Sequence, residues 1–154
     1  MTVVSDTTAI TTLLKAEQPR LLQDLHGRVL VPRAVWDELK AFHSQLPEFI
    51  ELHSLPSPIR RLTGTEALGC GEAEALLLAK TLHAHLLLTD DRQARLAACR
   101  LQIPCIGLVG MIVHAKRLGK ITNVREMLNL LETKGGLYLS DTVVAVAMKL
   151  ADEI

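Results

Sequence analysis

Short apolar runs alternate with amphipathic segments along most of the chain. The runs VVS, VLV and HLLLT predict buried strands, because each is apolar, brief and bounded by polar or turn-forming residues. The segments between them repeat their apolar residues every three or four positions, which is typical of a helix that packs on one face. Strands separated by helices form βαβ units, so the pattern predicts a parallel sheet with helices on both faces.

The same pattern locates the individual elements. The predicted strands cover residues 2–5, 28–32, 49–55, 85–90 and 103–107, and the predicted helices cover 9–16, 17–27, 33–45, 71–84, 91–102, 108–119, 123–135 and 139–154. The last three helices have no strand between them, which predicts a helical cap or edge on the sheet. The length of 154 residues suits one core, so residues 1–154 are predicted to form a single domain.

Acidic side chains stand where two of the predicted strands end. Asp6 follows the first strand, and Asp90 and Asp91 follow the fourth. In open α/β sheets, ligands bind beyond the carboxyl ends of the strands. If these two strands are neighbours, we expect Asp6 and one or both of the other acids to meet at the same edge of the sheet.

Two helices that begin at this edge add further acids. Glu72 stands beside an apolar stripe that favours it for the site, although the stripe beside Glu74 is nearly as apolar. In the earlier helix Glu38 lies next to the apolar stripe, whereas Asp37 points elsewhere. Four carboxylates at one edge repel each other unless cations lie between them. Hard ions such as Mg²⁺ and Mn²⁺ prefer such oxygen ligands and can activate a water for phosphodiester cleavage.

Each acid also has an ordinary structural explanation. Acids in the first turn stabilise a helix by ~0.3–1 kcal/mol through the helix macrodipole. Asp6, and either Asp90 or Asp91, stand at common N-cap positions. The catalytic interpretation therefore depends on the convergence of all these acids at one edge.

The composition limits other functions. Lys+Arg and Asp+Glu are both 17, so the formal net charge is +0 and there is no strongly basic tail for nucleic acid. The 3 cysteines include no CxxC pair, which argues against a disulfide framework or structural zinc site and favours the cytoplasm. No apolar run approaches the ~20 residues of a membrane span. HExxH, GxSxG and P-loop motifs are not found in the sequence.

The segments VVSDTTAI, VLVPRAVWDEL, GCGEAEALLLAK and LLLTDDRQAR, in this order, resemble the PIN-domain family. The nearest resemblance is to the branch related to VapC-type toxin ribonucleases, and CIGLVGMIVHAKRLGKI extends it to nearly the whole chain. The resemblance implies a three-layer PIN-like α/β fold, with a central parallel sheet of four to five strands and helices on both faces. It also implies a Mg²⁺- or Mn²⁺-dependent endoribonuclease, the toxin-like member of a toxin–antitoxin pair.

The resemblance also implies four catalytic acids. They are Asp6, Glu38, Glu72 and Asp91, of which the first, third and fourth would bind the metal. The family's fourth acid usually stands two residues after a threonine, which favours Asp91, and Asp90 and Glu74 stay as alternative ligands. Many members have an aspartate where this chain has the glutamates of GEAEA. Thr7 and Thr89 match hydroxyl positions that orient the acids or their waters.

The predicted partners are an RNA substrate, an antitoxin protein that blocks the acids, and a second copy of the chain. LVGMIVHAKRLG is so continuously apolar that we expect it, or the neighbouring NVREMLNLLE, to form a homodimer contact. The alternative function is a catalytically inactive PIN-like module that binds RNA or protein. A magnesium-dependent phosphatase of another α/β fold ranks third, because Thr8 stands where that class typically has a second acid.

Overall fold

The computed structural model describes residues 1–153, in which five strands and eight helices alternate as the sequence predicts. The strands are β1 (Val3–Ser5), β2 (Val29–Val31), β3 (Ile50–Leu52), β4 (Leu86–Leu88) and β5 (Cys105–Ile106). The helices are α1 (Thr7–Lys15), α2 (Arg20–His26), α3 (Arg33–Phe42), α4 (Cys70–Thr81), α5 (Arg92–Arg100), α6 (Leu108–Arg117), α7 (Val124–Thr133) and α8 (Asp141–Leu150). Position 154, where the predicted domain and its last helix end, lies outside the described residues.

The five strands form one parallel sheet in the order β3-β2-β1-β4-β5, with β1 in the middle. Val4 pairs with Leu30 on one side, and Ser5 pairs with Leu88 on the other. Because β1 and β4 are neighbours, the residues that follow them, Asp6 and Thr89, lie side by side at the carboxyl edge. The prediction of a parallel α/β sheet is confirmed.

Helices cover both faces of the sheet, since alternate strand residues point to opposite sides. Val3 and Leu88 belong to the larger apolar cluster, which contains buried residues of α1, α2, α3, α6, α7 and α8. Val4 and Leu87 belong to the smaller cluster, which α4 and α5 supply. The predicted three-layer arrangement is therefore confirmed.

Helix α6 is part of the core. Its residues Met111, Ile112 and Val113 are buried, because α7 and α8 both pack against this helix. Met111 and Ile112 are therefore core residues, and the homodimer contact through α6 or the neighbouring NVREMLNLLE stays a prediction. In the described chain, exposed apolar side chains of this region lie on α8, where Val146 is 52% and Leu150 is 51% exposed, and at Leu118 directly after α6.

The helices of residues 1–153 are all too short or too polar to cross a membrane.

Candidate functional site

The predicted acids lie at the point where the connections from the sheet diverge. Strands β1 and β4 pair with each other although they are not consecutive in the chain. Helix α1 leaves β1 towards one face, and α5 leaves β4 towards the other. In open α/β sheets, this divergence creates a crevice outside the carboxyl ends of the strands, where ligands bind.

Asp6 stands at this crevice and is buried, with 1% of its surface exposed. Its Oδ1 accepts a hydrogen bond from the Ala9 backbone N–H at 3.3 Å, so Asp6 is the N-cap of α1. Its Oδ2 accepts from the Thr89 hydroxyl at 2.5 Å. Oδ1 of Asp6 therefore caps α1, as the structural explanation predicts. Oδ2 instead binds Thr89, the residue that follows the neighbouring strand β4.

The environment of Asp6 raises its pKa from 3.8 to about 6, chiefly because burial penalises the charged form. The hydrogen bonds from Thr89 and Ala9 oppose this shift. The negative charges of Glu72 and Asp90 add to it, so both carboxylates lie near enough to act on Asp6. Three of the predicted acids thus share one electrostatic environment.

Asp90 is held by the first turn of α6. The Leu108 backbone N–H donates to both of its carboxylate oxygens, at 3.1 and 3.2 Å. Burial raises the pKa of Asp90, and the Leu108 hydrogen bond and the positive charge of Arg95 oppose that rise. An ideal Cβ at Gly107 would lie 2.5 Å from Asp90 Oδ1, so the absence of a side chain at Gly107 makes room for this carboxylate.

Asp91 has a different local role. Its Oδ1 accepts from the backbone N–H groups of Gln93 at 3.0 Å and Ala94 at 3.3 Å, which makes it the N-cap of α5. Asp91 also donates its own backbone N–H to the Thr89 hydroxyl oxygen at 3.2 Å. The sequence favours Asp91 over Asp90 as a ligand, whereas the charge of Asp90 is one of the causes of the raised pKa of Asp6.

The two glutamates of GEAEA point to different partners. Glu72 lies in the first turn of α4, and its Oε2 would be 2.7 Å from an ideal Cβ at Gly69. Glu74 accepts from the Ala34 backbone N–H at 3.2 Å and so satisfies the start of α3. The geometry favours Glu72 as the neighbour of Asp6 and gives Glu74 a capping contact between two helices.

Glu38 reaches the same edge from α3. The Thr7 hydroxyl donates a hydrogen bond to its Oε2. An ideal Cβ at Gly71 would lie 3.0 Å from Glu38 Oε1, so the carboxylate lies directly over the backbone of α4. Because Thr7 follows Asp6, this contact brings the fourth predicted acid to the site, although Glu38 is exposed and its charge is not among the causes of the Asp6 pKa shift.

Glycine and arginine residues complete the site in a way that sequence reasoning missed. Gly69, Gly71 and Gly107 each leave space that a carboxylate of another residue occupies. These glycines are visible in the sequence segments GCGEAEA and CIG, but glycines in such segments are equally typical of a loop and do not by themselves indicate a site. Arg95 lies on α5, and its positive charge acts on Asp90.

The donor set fits a hard divalent cation in its chemistry. Carboxylate and hydroxyl oxygens converge here, and Mg²⁺ is usually bound through one or two carboxylates while it keeps several waters. Within residues 1–153, no group of three or more Asp, Glu, His or Cys side chains is placed closely enough to hold a metal ion directly. The arrangement therefore suits an ion held largely through water and substrate oxygens.

Comparison with known proteins identifies a family and shows a similar fold. The family model DUF3368, described as a PIN domain, matches residues 2–153. Among solved structures, a PilT N-terminus domain protein from the hyperthermophilic archaeon Sulfolobus solfataricus P2 aligns with a TM-score of 0.55 at 16% identity, covering 91% of this chain and 98% of that one. At this identity the likeness shows the fold alone. A search of curated proteins finds no significant match.

We expect Asp6→Asn to stabilise the metal-free protein at pH 7 by roughly 1–3 kcal/mol. The folded-state pKa of about 6 lies above the ordinary 3.8, so between these values the folded state keeps a proton that the unfolded state releases. The wild-type free energy of unfolding should therefore fall as pH rises from about 4 to 6, by up to ~1.4 kcal/mol per pH unit, and this contribution should level off above that range. Urea unfolding between pH 4 and 8 measures both effects.

Asp24→Asn is the matched control, because Asp24 is exposed on α2. This variant should keep the wild-type pH dependence. Asparagine can still cap α1, so a large loss of stability in Asp6→Asn at pH 7 would contradict the view that the Asp6 charge is unfavourable in the metal-free fold.

Proposed function

The chain belongs to the PIN-domain family, and from this premise we propose that it is a divalent-metal-dependent endoribonuclease. PIN domains are generally nucleases, which is the coarser statement that family membership supports. The observation that carries the proposal is the buried carboxylate of Asp6, whose pKa is raised to about 6 while Glu72 and Asp90 act on it. Burying a carboxylate among others is unfavourable for the fold alone, which is a common property of functional sites.

We propose that Asp6, Glu72 and one acid of the Asp90–Asp91 pair hold Mg²⁺ or Mn²⁺ partly through bound water, since no three of these side chains are close enough to contact one ion directly, with Glu38 as the fourth acid of the site. When bound, the ion supplies the charge that activates a water and stabilises the leaving oxygen of the phosphodiester. The chain's own residues fix the acids. Thr89 and the Ala9 N–H orient Asp6, and Thr7 orients Glu38.

We further propose that this nuclease is the toxin-like member of a toxin–antitoxin pair, and that a small antitoxin protein covers the acidic edge. The support is the ordered resemblance to VapC-type toxins in the sequence. A cytoplasmic location fits the cysteines, since Cys70, Cys99 and Cys105 are all free thiols and persist most readily in a reducing compartment.

We also propose a homodimer, with α8 as the contact. Val143, Val146 and Leu150 are exposed on this helix and recur at helical spacing. All three line a cavity of about 730 Å³, whose walls are mostly apolar and include residues of α6. An apolar surface of this kind commonly marks an interface, and a two-fold pair is the most frequent arrangement for identical chains.

We expect the purified protein to cleave RNA with Mg²⁺ or Mn²⁺ and to stop when EDTA removes the ion. Asp6→Asn should abolish cleavage, because it removes the central ligand, whereas Asp24→Asn should cleave as the wild type does. Mn²⁺ should raise the melting temperature of the wild type but not of Asp6→Asn, since an ion that binds the folded state stabilises it by about 2.7 kcal/mol at 100 times its Kd.

The outcome separates the two main functions. RNA binding without cleavage under any of these metal conditions would support the inactive PIN-like module instead. A wild type that neither binds nor cleaves RNA would contradict both.

We expect the neighbouring acids Asp90 and Asp91 to behave differently. Asp90→Asn should reduce cleavage by at least roughly 10–100-fold, the loss typical for residues around a metal site. Asp91→Ser keeps a capping hydroxyl at the start of α5 and should retain activity, whereas Asp91→Ala should lose ~1 kcal/mol of stability with its cap. Cleavage assays and urea unfolding of all three variants make the comparison. An inactive but stable Asp91→Ser would instead restore Asp91 as the ligand.

We expect Val146→Glu to turn a homodimer into a monomer, because the new charge would be buried in the apolar contact. Ala145→Glu adds the same charge to the same helix but outside the 730 Å³ cavity, so it should stay dimeric. Light scattering at micromolar concentration measures the mass of each. A monomeric wild type would refute the dimer.

A further inference from the structure

A cleft of about 540 Å³ opens beside the edge strand β5. Its lining includes Asp90 and Arg95 at one part and Leu137, Tyr138 and Leu139 at another. Asp90 belongs to the acidic site, whereas residues 137–139 belong to the connection between α7 and α8. The cleft therefore connects the acidic site to a loop that takes no part in the proposed metal chemistry.

Tyr138 is displayed on this loop. It is the single tyrosine of the sequence, and 85% of its surface is exposed. Its neighbours anchor the chain on both sides, since Leu139 is buried in the core and Leu137 packs against it. Leu137 also donates its backbone N–H to the Leu131 carbonyl at 3.0 Å. The loop thus presents an aromatic ring to solvent from a fixed backbone.

Arg95 gives the cleft a positive charge next to the acids. It is exposed on α5, and its Nη1 would lie 3.5 Å from an ideal Cβ at Gly107, the residue before α6. Arg92 and Arg95 also line an adjoining depression that again includes Asp90. Guanidinium groups bind phosphate oxygens in a bidentate manner, which makes this a suitable place for a nucleic-acid backbone.

We propose that this cleft is a subsite for one nucleotide of single-stranded RNA, in which Tyr138 stacks on the base and Arg95 binds a phosphate next to the scissile one. The proposal rests on the ribonuclease function and names the form of its substrate. A single strand offers unpaired bases that can stack on an aromatic ring, whereas a duplex keeps its bases stacked and paired. The volume of about 540 Å³ lies within the usual ~300–1,000 Å³ of small-ligand sites.

The chemistry also predicts which kind of selectivity to expect. Every base has a π face, so stacking on one tyrosine discriminates single strands from duplexes better than it discriminates between bases. The contact between Arg95 and phosphate is independent of sequence and sensitive to salt. We therefore expect a preference for unpaired RNA without a strict sequence requirement at this position.

Fluorescence anisotropy of a labelled single-stranded oligoribonucleotide tests the subsite in the Asp6→Asn background, where the RNA stays intact. Adding Tyr138→Ala should weaken binding roughly 5- to 150-fold, the range that corresponds to one stacked base. Tyr138→Phe should bind as the parent does, because the ring is kept. Phe42→Ala is the matched control, since Phe42 is 84% exposed on α3 and does not line the cleft.

A second measurement identifies the contact as stacking. In a series of oligonucleotides, each with an abasic site at a different position, one position should be the place where Tyr138 stacks. Removing the base there should weaken binding by the parent protein but should not weaken binding by Tyr138→Ala any further. Arg95→Gln should weaken binding of every oligonucleotide and flatten its dependence on salt concentration. In the cleaving enzyme, Tyr138→Ala should raise KM more than it lowers kcat.

The failure of this subsite can be told apart from the failure of the nuclease function. An enzyme that cleaves RNA with an unchanged KM in Tyr138→Ala would overturn the subsite alone. Tyr138-dependent binding without any cleavage would keep the subsite and overturn the nuclease function. Equal loss of affinity for duplex and single-stranded RNA in Tyr138→Ala, or no binding of single strands by the parent, would also overturn the subsite.

Discussion

The burial of one carboxylate at the end of the central strand is the constraint on which the rest of the structure depends. Asp6 follows β1, the middle strand of the sheet, and it is 1% exposed. Such a group is tolerated only if hydrogen-bond donors replace the water it has lost. The donors here come from the next helix and from the neighbouring strand's end, through Ala9 and Thr89. The position of β4 beside β1 is therefore as important for this acid as its own sequence.

In this molecule the same hydrogen bonds cap helices and hold the acids of the candidate site in place. Asp6 and Asp90 accept from the first turns of two different helices, α1 and α6. Backbone N–H groups at helix starts carry partial positive charge, so they stabilise the negative charges that the acids bring together. The same carboxylate thus supports the start of a helix and belongs to the acidic site. A structural role as a helix cap and a chemical role in the site are therefore compatible for these acids.

The sequence predicts the elements well because each strand and helix has its own periodicity, which is a local property. It predicts the edge of the sheet where the acids gather for the same reason, since that edge follows from parallel βαβ units. It does not separate Asp90 from Asp91, or Glu72 from Glu74, because each pair occupies capping positions whose orientation depends on distant partners such as Leu108 and Ala34. The burial of α6 depends on contacts with α7 and α8, which later parts of the chain supply.

The pairing of β1 with β4 also sets the order in which the site can be assembled during synthesis. Thr89 and Asp6 are 83 positions apart, and the amide that holds Asp90 lies 18 positions after Asp90, at Leu108. A nascent chain that ends before β4 contains Asp6, Glu38 and Glu72 but lacks the strand that buries the first of them. Closing so long a loop delays folding, and the contact between Asp6 and Thr89 can form only after β4 has been synthesised.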